Sequence, residues 1–269
     1  MTPVIEPPAI RRIVVTLDSS ESARSVLDVA VRLAALLGAE LEGVFVEDIN
    51  LIRLSGLPFL REVRAWSLAE EGISTQGMQR ELRALARQAE RMFLEAAQAM
   101  GVGCSFRVWR GHATVETLST SFEADIISLR GGPTLLYHAR SLMQSRLPAA
   151  ARSAAPINVL FSASPAADRA LAAACYLARD PGVEIRVLLA DNATPGAELE
   201  RRAGEILAAY GQQATVVRLG EGGLPALARA IRASGDNTVL LADPAHPLLR
   251  EAGLNHCLEA LTCPVLFVR

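Results

Sequence analysis

The chain contains no lysine, so arginine supplies all 27 of its basic side chains. A phosphate-binding loop of the G-x-x-x-x-G-K-S/T type needs a lysine, and so does a Schiff-base active site. The sequence therefore excludes both chemistries. Acidic residues number 29, and no basic run is present to attract phosphate backbones or anionic lipid. We expect neither a nucleic-acid partner nor a membrane partner.

Cysteine is scarce as well. The four cysteines are Cys104, Cys175, Cys257 and Cys263. No pair has C-x-x-C spacing, and Cys175 falls on the apolar stripe of a predicted helix, which is typical of a core residue. His246 and His256 lie near the last two cysteines, but their spacing matches no common zinc pattern. The sequence predicts no metal site.

Several other signals are missing. The first twelve residues hold no apolar run of signal-peptide length, and no uncharged stretch approaches the roughly 20 residues of a membrane span. We therefore expect a soluble, cytoplasmic protein. Neither a G-x-S-x-G elbow nor a G-x-G-x-x-G after the first strand is present, and no residue stands out as a general base. The protein is expected not to be an enzyme.

The residues that are present favour an α/β fold. Hydrophobic residues make up 51% of the chain, enough for a substantial core. Short β-branched runs alternate with segments of helical periodicity. The predicted strands are 12–18, 40–47, 104–109, 124–129, 157–161, 184–189, 215–219, 238–241 and 265–268. A helix opens at Ser164-Pro165, and a single helix is predicted over Leu248–Leu261. Such alternation predicts parallel sheets with right-handed crossovers.

The two halves of the sequence repeat each other. Val14-Val15 to Arg24 aligns with Val159-Leu160 to Arg169, because each is a strand followed by a helix. An internal duplication explains this match. We divide the chain into unit 1, residues 1–154, and unit 2, residues 155–269. The chain is then a pseudo-dimer of two Rossmann-like units, and a homodimer of the whole chain is a further expectation.

An apolar insert interrupts unit 1 at residues 48–79. It is too long for an ordinary connection. The insert is predicted to leave the carboxyl end of the second strand, which is the ligand side of such a sheet. It covers the ligand cleft, forms a protein contact surface, or is a short extra helix packed on the core. The residues predicted to contact a partner are Leu57, Phe59, Leu60 and Trp66.

Three motifs, taken in order, resemble the universal stress protein family. They are Leu17-Asp18-Ser19-Ser20, Ala124-Asp125-Ile126-Ile127 and Cys263-Pro264-Val265-Leu266-Phe267-Val268. The resemblance implies a five-stranded parallel sheet in the order 3-2-1-4-5 for each unit. It also implies ATP as the candidate cofactor, since some members bind it at the carboxyl ends of the strands.

Two complete units of the implied five strands need ten strands, but the pattern supplies nine. Ile157–Phe161 suits both the closing strand of unit 1 and the opening strand of unit 2. In the implied order the first strand is central and the fifth is an edge. Losing a central strand would leave two unpaired ladders, whereas losing an edge strand costs far less. We assign Ile157–Phe161 to the centre of unit 2, and the exposed edge at 124–129 is then expected to pair with 265–268, from the other half or from a second chain.

The resemblance supplies candidate site residues in unit 1. They are Asp18, Val46, His112, Gly131, Gly132 and Ser145. In ATP-binding members the first-strand Asp lies near the adenosine, and a G-x2-G-x9-G-S/T loop holds phosphate on backbone N–H groups. Three alternatives remain open. Asp18 caps the first helix, Gly131-Gly132 forms only a turn, and His112 is a surface or capping residue.

Both units depart from the family's phosphate loop. Counting from Gly131 gives Gly131, Thr134, Gln144 and Ser145, of which the first and last match. Pro133 removes one backbone donor. In unit 2 the region 243–247 has no glycine, and Ala163 aligns with Asp18. Nucleotide binding, where it occurs, is expected to be weak and confined to unit 1.

The sequence therefore predicts a stress-associated regulatory or ligand-binding protein, with a small ligand or nucleotide in unit 1. The alternative is a ligand-free protein-interaction module that uses the apolar insert.

Overall fold

The structure of the protein is a computed structural model. It describes residues 8–17, 21–48, 61–63, 70–72, 75–111, 123–130, 156–179, 182–190, 195–235, 238–261 and 263–269.

Nine strands form one sheet, and two more form a separate hairpin. The strands are β1 (Arg12–Leu17), β2 (Glu40–Asp48), β3 (Arg61–Val63), β4 (Glu70–Gly72), β5 (Cys104–Gly111), β6 (Ile126–Arg130), β7 (Ile157–Phe161), β8 (Ile185–Leu189), β9 (Ala214–Arg218), β10 (Val239–Ala242) and β11 (Pro264–Val268). The order across the large sheet is β5-β2-β1-β6-β11-β10-β7-β8-β9, and β3 pairs with β4 in the hairpin.

Seven α-helices are described, and a short 3-10 helix, Gly220–Gly222, precedes the fifth. The seven α-helices are α1 (Glu21–Leu37), α2 (Thr75–Ala99), α3 (Pro165–Leu177), α4 (Gly196–Ala209), α5 (Gly223–Arg232), α6 (Pro247–Ala252) and α7 (Leu254–Ala260). On one face of the sheet α1 contacts both α2 and α3, and α3 contacts α4. These four helices cover a core that is continuous through both units. On the other face of unit 2, α5, α6 and α7 contact one another and cover a second core.

The strand order confirms the predicted fold class. Unit 1 contributes β5-β2-β1-β6, which is the order 3-2-1-4. Unit 2 contributes β9-β8-β7-β10-β11, the full order 3-2-1-4-5. Within the nine-stranded sheet all neighbouring strands are parallel except β6 and β11, which are antiparallel. Thus β7 is central in unit 2 and β11 occupies the fifth position beside unit 1, as the strand count predicted.

The burial of each strand follows its position. All five residues of β7 are buried, because helices cover both faces of this central strand. The two outer strands β5 and β9 are largely exposed, and each leaves a valine on the surface, Val108 and Val216. Their charged neighbours Arg107 and Arg218 limit edge-to-edge association.

Three sequence predictions need correction or extension. The C-terminal helix over Leu248–Leu261 is wrong as one element, because Gly253 adopts φ +78° and separates α6 from α7. Helix α2 begins at Thr75, so the last residues of the predicted insert are helical. The β3–β4 hairpin within the insert was not predicted.

Several predictions fall outside the described residues. They are the helices near 115–122 and 137–152, the unit boundary at 154/155, and the contact side chains Leu57, Phe59, Leu60 and Trp66.

Helix α3 allows the two units to approach closely. It is rich in alanine, and its buried residues include Ala167, Ala170, Ala173 and Ala174. Small side chains let α3 lie close to α1, so the core runs without a break from one unit to the other. Within the described part of the chain, no helix has the length and apolar character needed to cross a membrane.

Candidate ligand-binding site

Each unit has a topological switch point, where the chain reverses the direction in which it adds strands. In unit 1 the chain passes from β1 through β2 to β5 and then places β6 on the other side of β1. In unit 2 the corresponding switch point lies between the neighbouring strands β7 and β10. Open α/β sheets bind ligands at the carboxyl ends of the two strands at the switch point. The candidate sites are therefore the carboxyl ends of β1 and β6, and of β7 and β10.

The strands of unit 1 part at their switch point. The last pair in the ladder between β1 and β6 is Val15 with Ser128, although β1 continues beside β2 to Leu17. Beyond that pair the backbone N–H of Thr16 donates to the Ser128 hydroxyl at 3.1 Å, and the Thr16 hydroxyl donates to the Ser128 carbonyl at 2.8 Å. Two hydroxyl groups thus lie where the β1–β6 ladder ends, on the carboxyl side of its last pair.

An aromatic ring lies on β5, two strands away from β1. Val46, the one candidate residue that the structure describes, is half-buried on β2 beside Trp109 of β5. The Trp109 ring lies over Gly111, where a methyl group would come within 2.6 Å of a ring atom. Gly111 is therefore needed for this ring position. Val46 and Trp109 border the same apolar cluster as Leu129 of β6.

An ion pair balances the charge at the same edge. Glu47 is buried, and its carboxylate accepts hydrogen bonds from Nε and Nη2 of Arg110 at 2.9 and 2.8 Å. Because the pair carries no net charge, it adds little attraction for a charged ligand. The carboxyl edge of unit 1 therefore offers hydroxyls, an aromatic ring and paired charge among its described residues.

The switch point of unit 2 is closed by its own side chains. The Ser164 hydroxyl accepts the backbone N–H of Ala167 at 3.0 Å, capping α3, and donates to Oδ2 of Asp243 at 2.6 Å. Oδ1 of Asp243 accepts the N–H of Ala245 at 2.7 Å. The Ser162 hydroxyl donates to Ser164 at 3.3 Å. These bonds join the end of β7 to the segment after β10.

His246 completes the closure. Its side chain is fully buried, and Nδ1 accepts the backbone N–H of Leu248 at 3.2 Å, which caps α6. Nε2 has no hydrogen-bond partner within the described ranges. Burial lowers the pKa of this imidazole, and the nearby Phe161 carbonyl and Asp243 carboxylate only partly oppose that shift. His246 is therefore neutral near pH 7, with its proton on Nε2.

Comparison with known proteins identifies the fold. A scan of protein-family models and a search of curated proteins give no match. A crystal structure of a universal stress protein from Archaeoglobus fulgidus is similar over 96% of both chains, with a TM-score of 0.53 and 16% identical residues. The chain has the universal stress protein fold.

Most candidate residues for the universal stress protein ligand lie outside the described part of the chain. They are Asp18, His112, Gly131, Gly132 and Ser145. Their described neighbours in sequence, Leu17, Gly111 and Arg130, all lie at the carboxyl ends of β1, β5 and β6. Both readings of Asp18, as helix cap and as ligand contact, remain predictions, and so do those of His112 and Gly131-Gly132.

One motif of the universal stress protein resemblance has a structural role. The Asp125 carboxylate accepts the backbone N–H groups of Arg11 at 2.7 Å and Arg12 at 3.0 Å. It thus holds the start of β1 against the start of β6. This is the amino edge of unit 1, opposite the candidate site. The Ala124-Asp125 pair therefore joins the starts of β1 and β6 and does not lie at the candidate site.

The strand register shows what replaces the phosphate loop of unit 2. Val14 pairs with Ile127, and its duplicate Val159 pairs with Leu241. Counting five residues onward from Ile127 and from Leu241 aligns Gly132 with His246. The next residues, Pro133 and Pro247, also align. A capping imidazole thus occupies the place of a glycine.

The sequence did not single out Thr16, Ser128, Trp109 or Ser164 as site residues. Thr16, Ser128 and Trp109 fall inside predicted strands, where nothing distinguishes them from ordinary sheet residues. Ser164 had a usable signal, because serine before proline predicts a helix cap. Asp243 follows a buried strand directly, as Asp18 does, and that parallel could have indicated a switch-point residue.

Proposed function

We propose that the protein is a regulatory, ligand-binding member of the universal stress protein type that binds one adenine nucleotide weakly in unit 1 and none in unit 2. The observation that carries the proposal is the set of hydrogen bonds that occupies the switch point of unit 2. In both units the ladder ends at the equivalent pair, Val15 with Ser128 and Leu160 with Ala242. In unit 2 the side chains of Ser164 and Asp243 are hydrogen-bonded to each other beyond that pair.

The donors that phosphate would need in unit 2 are already engaged. The N–H of Ala245 is bound to Asp243, and the N–H of Leu248 is bound to His246. The buried Asp243 carboxylate would also repel a phosphate. Binding there would require breaking these bonds and desolvating two like charges side by side. This supports one site per chain rather than two.

Weak binding in unit 1 follows from its incomplete loop. Gly131 and Ser145 match the family pattern, but Thr134 and Gln144 do not, and Pro133 supplies no backbone donor. The chain has no lysine to compensate. We expect a dissociation constant on the order of 0.1–1 mM, or about 4–5.5 kcal/mol of binding free energy.

Titration calorimetry of the full chain with ATP tests this proposal. We expect no more than one site per chain, with affinity lost in Asp18→Ala and retained in Asp243→Asn. Two sites, or equal affinity of Asp18→Ala and the unchanged chain, would contradict confinement to unit 1. Absence of binding at millimolar ATP would rule out the nucleotide and leave another small ligand for unit 1.

The β3–β4 hairpin favours a second candidate function. Its strands Arg61–Val63 and Glu70–Gly72 give the insert a paired framework. We propose as the alternative that the insert presents Leu57, Phe59, Leu60 and Trp66 to a protein partner. Deleting 52–74, up to the start of α2, should change assembly or the binding of an apolar dye. Unchanged solubility, assembly and dye binding would count against it.

A further inference from the structure

His246 links a single protonation site to two helix starts. Its Nδ1 accepts the N–H of Leu248 and so caps α6. The adjacent Asp243 accepts the hydroxyl of Ser164, which caps α3. Both helices therefore begin at the carboxyl edge of unit 2, and side chains that lie close together there cap them.

We propose that His246 is a pH-sensitive switch that keeps the carboxyl edge of unit 2 closed when neutral and releases it when protonated. Protonation places a hydrogen on Nδ1, which can then no longer accept the Leu248 N–H. Two N–H donors would face each other at the start of α6. The cap is lost in the same step that introduces the charge.

The buried position makes the protonated state unstable in the closed form. Nε2 already lacks a partner in the described residues, and the side chain has no contact with water. An imidazolium would place a charge and a second unpaired donor in this site. The charge can be relieved when Asp243 turns toward it, or when the start of α6 moves out to water. The first movement weakens the bond to Ser164, and the second opens the edge.

Asp243 is the nearby charged group that acts on this imidazole. The charged or titratable residues of α5, α6 and α7 that point to solvent are Arg229, Arg232, Arg250, Glu251 and His256. The Cys257 thiol faces α6 by donating to the Leu249 carbonyl at 3.8 Å, and burial raises the pKa of this thiol, so it stays neutral. Strands β7, β10 and β11 carry no charged residue.

Amide hydrogen exchange of the full chain tests the switch. Between about pH 7.5 and about pH 5, protection at Ala245 to Arg250 and at Ala167 should fall, after correction for the intrinsic pH dependence of exchange. The expected loss of protection is about tenfold for each unit by which the pKa of His246 differs between the closed and open forms. Protection in β7 and β8 should not change.

Two variants separate the switch from general acid effects. In His246→Asn a neutral amide oxygen can still cap α6, so protection at 245–250 should become independent of pH in this range. In the control His256→Asn, which alters an exposed histidine of α7, the acid response should persist. An undiminished response in His246→Asn overturns the proposal. So does a loss that spreads equally through β7 and β8.

A measurement on the unchanged chain covers the case in which His246→Asn does not fold. Nitrogen-15 NMR of the imidazole should show Nε2 protonated near neutral pH. On acidification, Nδ1 protonation and the shift of the Leu248 amide should follow one titration curve. Protonation of His246 with an unchanged Leu248 amide would overturn the switch.

Discussion

Leu266 of β11 lies opposite Ser128 of β6 in antiparallel register, the pairing that joins the two units. On its other side β11 runs parallel to β10, with Leu266 beside Leu241. One strand therefore fills the fifth position of both units. Because β6 and β11 are antiparallel, the carboxyl ends of the strands of the two units lie at opposite edges of the sheet. The two switch points therefore lie at opposite edges as well.

Leu266→Ala should destabilise both units together. Leu266 is fully buried in the core that runs through both units. A leucine-to-alanine change in such a core costs about 2–5 kcal/mol. Denaturant unfolding, followed by separate probes in α2 and α4, should show one shifted transition.

Leu36→Ala is the matched control, because Leu36 on α1 is 42% exposed. It should change stability by no more than about 0.5 kcal/mol. If Leu266→Ala shifts the unfolding transition reported by the probe in α4 and leaves the one reported in α2 unchanged, β11 does not stabilise unit 1.

Glu42→Gln should weaken the central region of unit 1. The buried Glu42 carboxylate binds Arg12 at 2.7 Å and also binds Arg107. Glutamine leaves both guanidinium groups with a weaker, neutral partner. The expected loss is about 1–3 kcal/mol, less than for a fully buried pair, because both arginines are partly exposed.

The exposed pair of Glu198 and Arg201 on α4 provides the control. Water already solvates both groups, so Glu198→Gln should leave the denaturation midpoint unchanged. Equal effects of the two glutamine substitutions would show that burial of Glu42 contributes nothing.

Asp125→Ala should loosen the start of β1. The substitution removes the acceptor for the backbone N–H groups of Arg11 and Arg12. The expected cost is about 1–3 kcal/mol, and Asp125→Asn should cost less because its amide oxygen still accepts one N–H.

Hydrogen exchange localises the effect of Asp125→Ala, since protection should fall at the first residues of β1 before it falls elsewhere. Glu123→Ala, two residues earlier and exposed, is the control. A loss of equal size in the control would contradict a specific role for Asp125.

Thiol labelling should distinguish Cys104 from the other three cysteines. Cys104 is half-buried, whereas Cys175, Cys257 and Cys263 are buried. Burial raises the pKa of Cys175 and Cys263 to about 12. Near pH 8 a maleimide should modify one thiol rapidly in the folded chain and all four after denaturation. Rapid labelling of two or more thiols in the folded chain would contradict this burial.

The same two thiols should make the fold sensitive to alkali. Their pKa is raised from 9.0 to about 12 in the folded chain, so the folded state holds these protons more tightly than the unfolded state. Their contribution to stability is complete below pH 9.0 and is lost as pH rises toward about 12. Replacing Cys175 with serine should reduce the slope of unfolding free energy against pH in this window.

Local sequence signals located many elements well. The run 157–161 was predicted with the bounds that β7 has, because a β-branched and apolar segment after a proline has few alternatives. Ser164 was predicted as the cap of α3 and accepts the Ala167 N–H. The break at Gly253 was missed, because the apolar spacing continues across it and outweighed one glycine. The hairpin was missed since strands of three residues are too short for periodicity to reveal.

Less of the candidate site than of the fold could be predicted from the sequence. Asp18 and the residues aligned with the family's loop could be named by resemblance, but Thr16 and Ser128 could not. Thr16 and Ser128 stand out only because the β1–β6 ladder ends beside them, and strand pairing is not visible in the sequence. His246 was considered only as a metal ligand, and its spacing argued against that. Its role as a cap depends on the Leu248 N–H and on burial, which periodicity does not report.

By itself the sequence determined the alternation of strands and helices and its repeat in two units. Those features follow from local propensity, from which face of each element is apolar, and from the repeat of the pattern. The strand order and the centre of unit 2 were implied by the resemblance to the universal stress protein family. Only the tertiary structure decided that the strand beside β6 is β11 of the same chain and not of a second chain, and that Asp243 binds the Ser164 hydroxyl and His246 caps α6 at the carboxyl edge of unit 2. An unpaired strand edge accepts any suitable strand, so its partner is set by the packing of α1 against α3 across the whole chain.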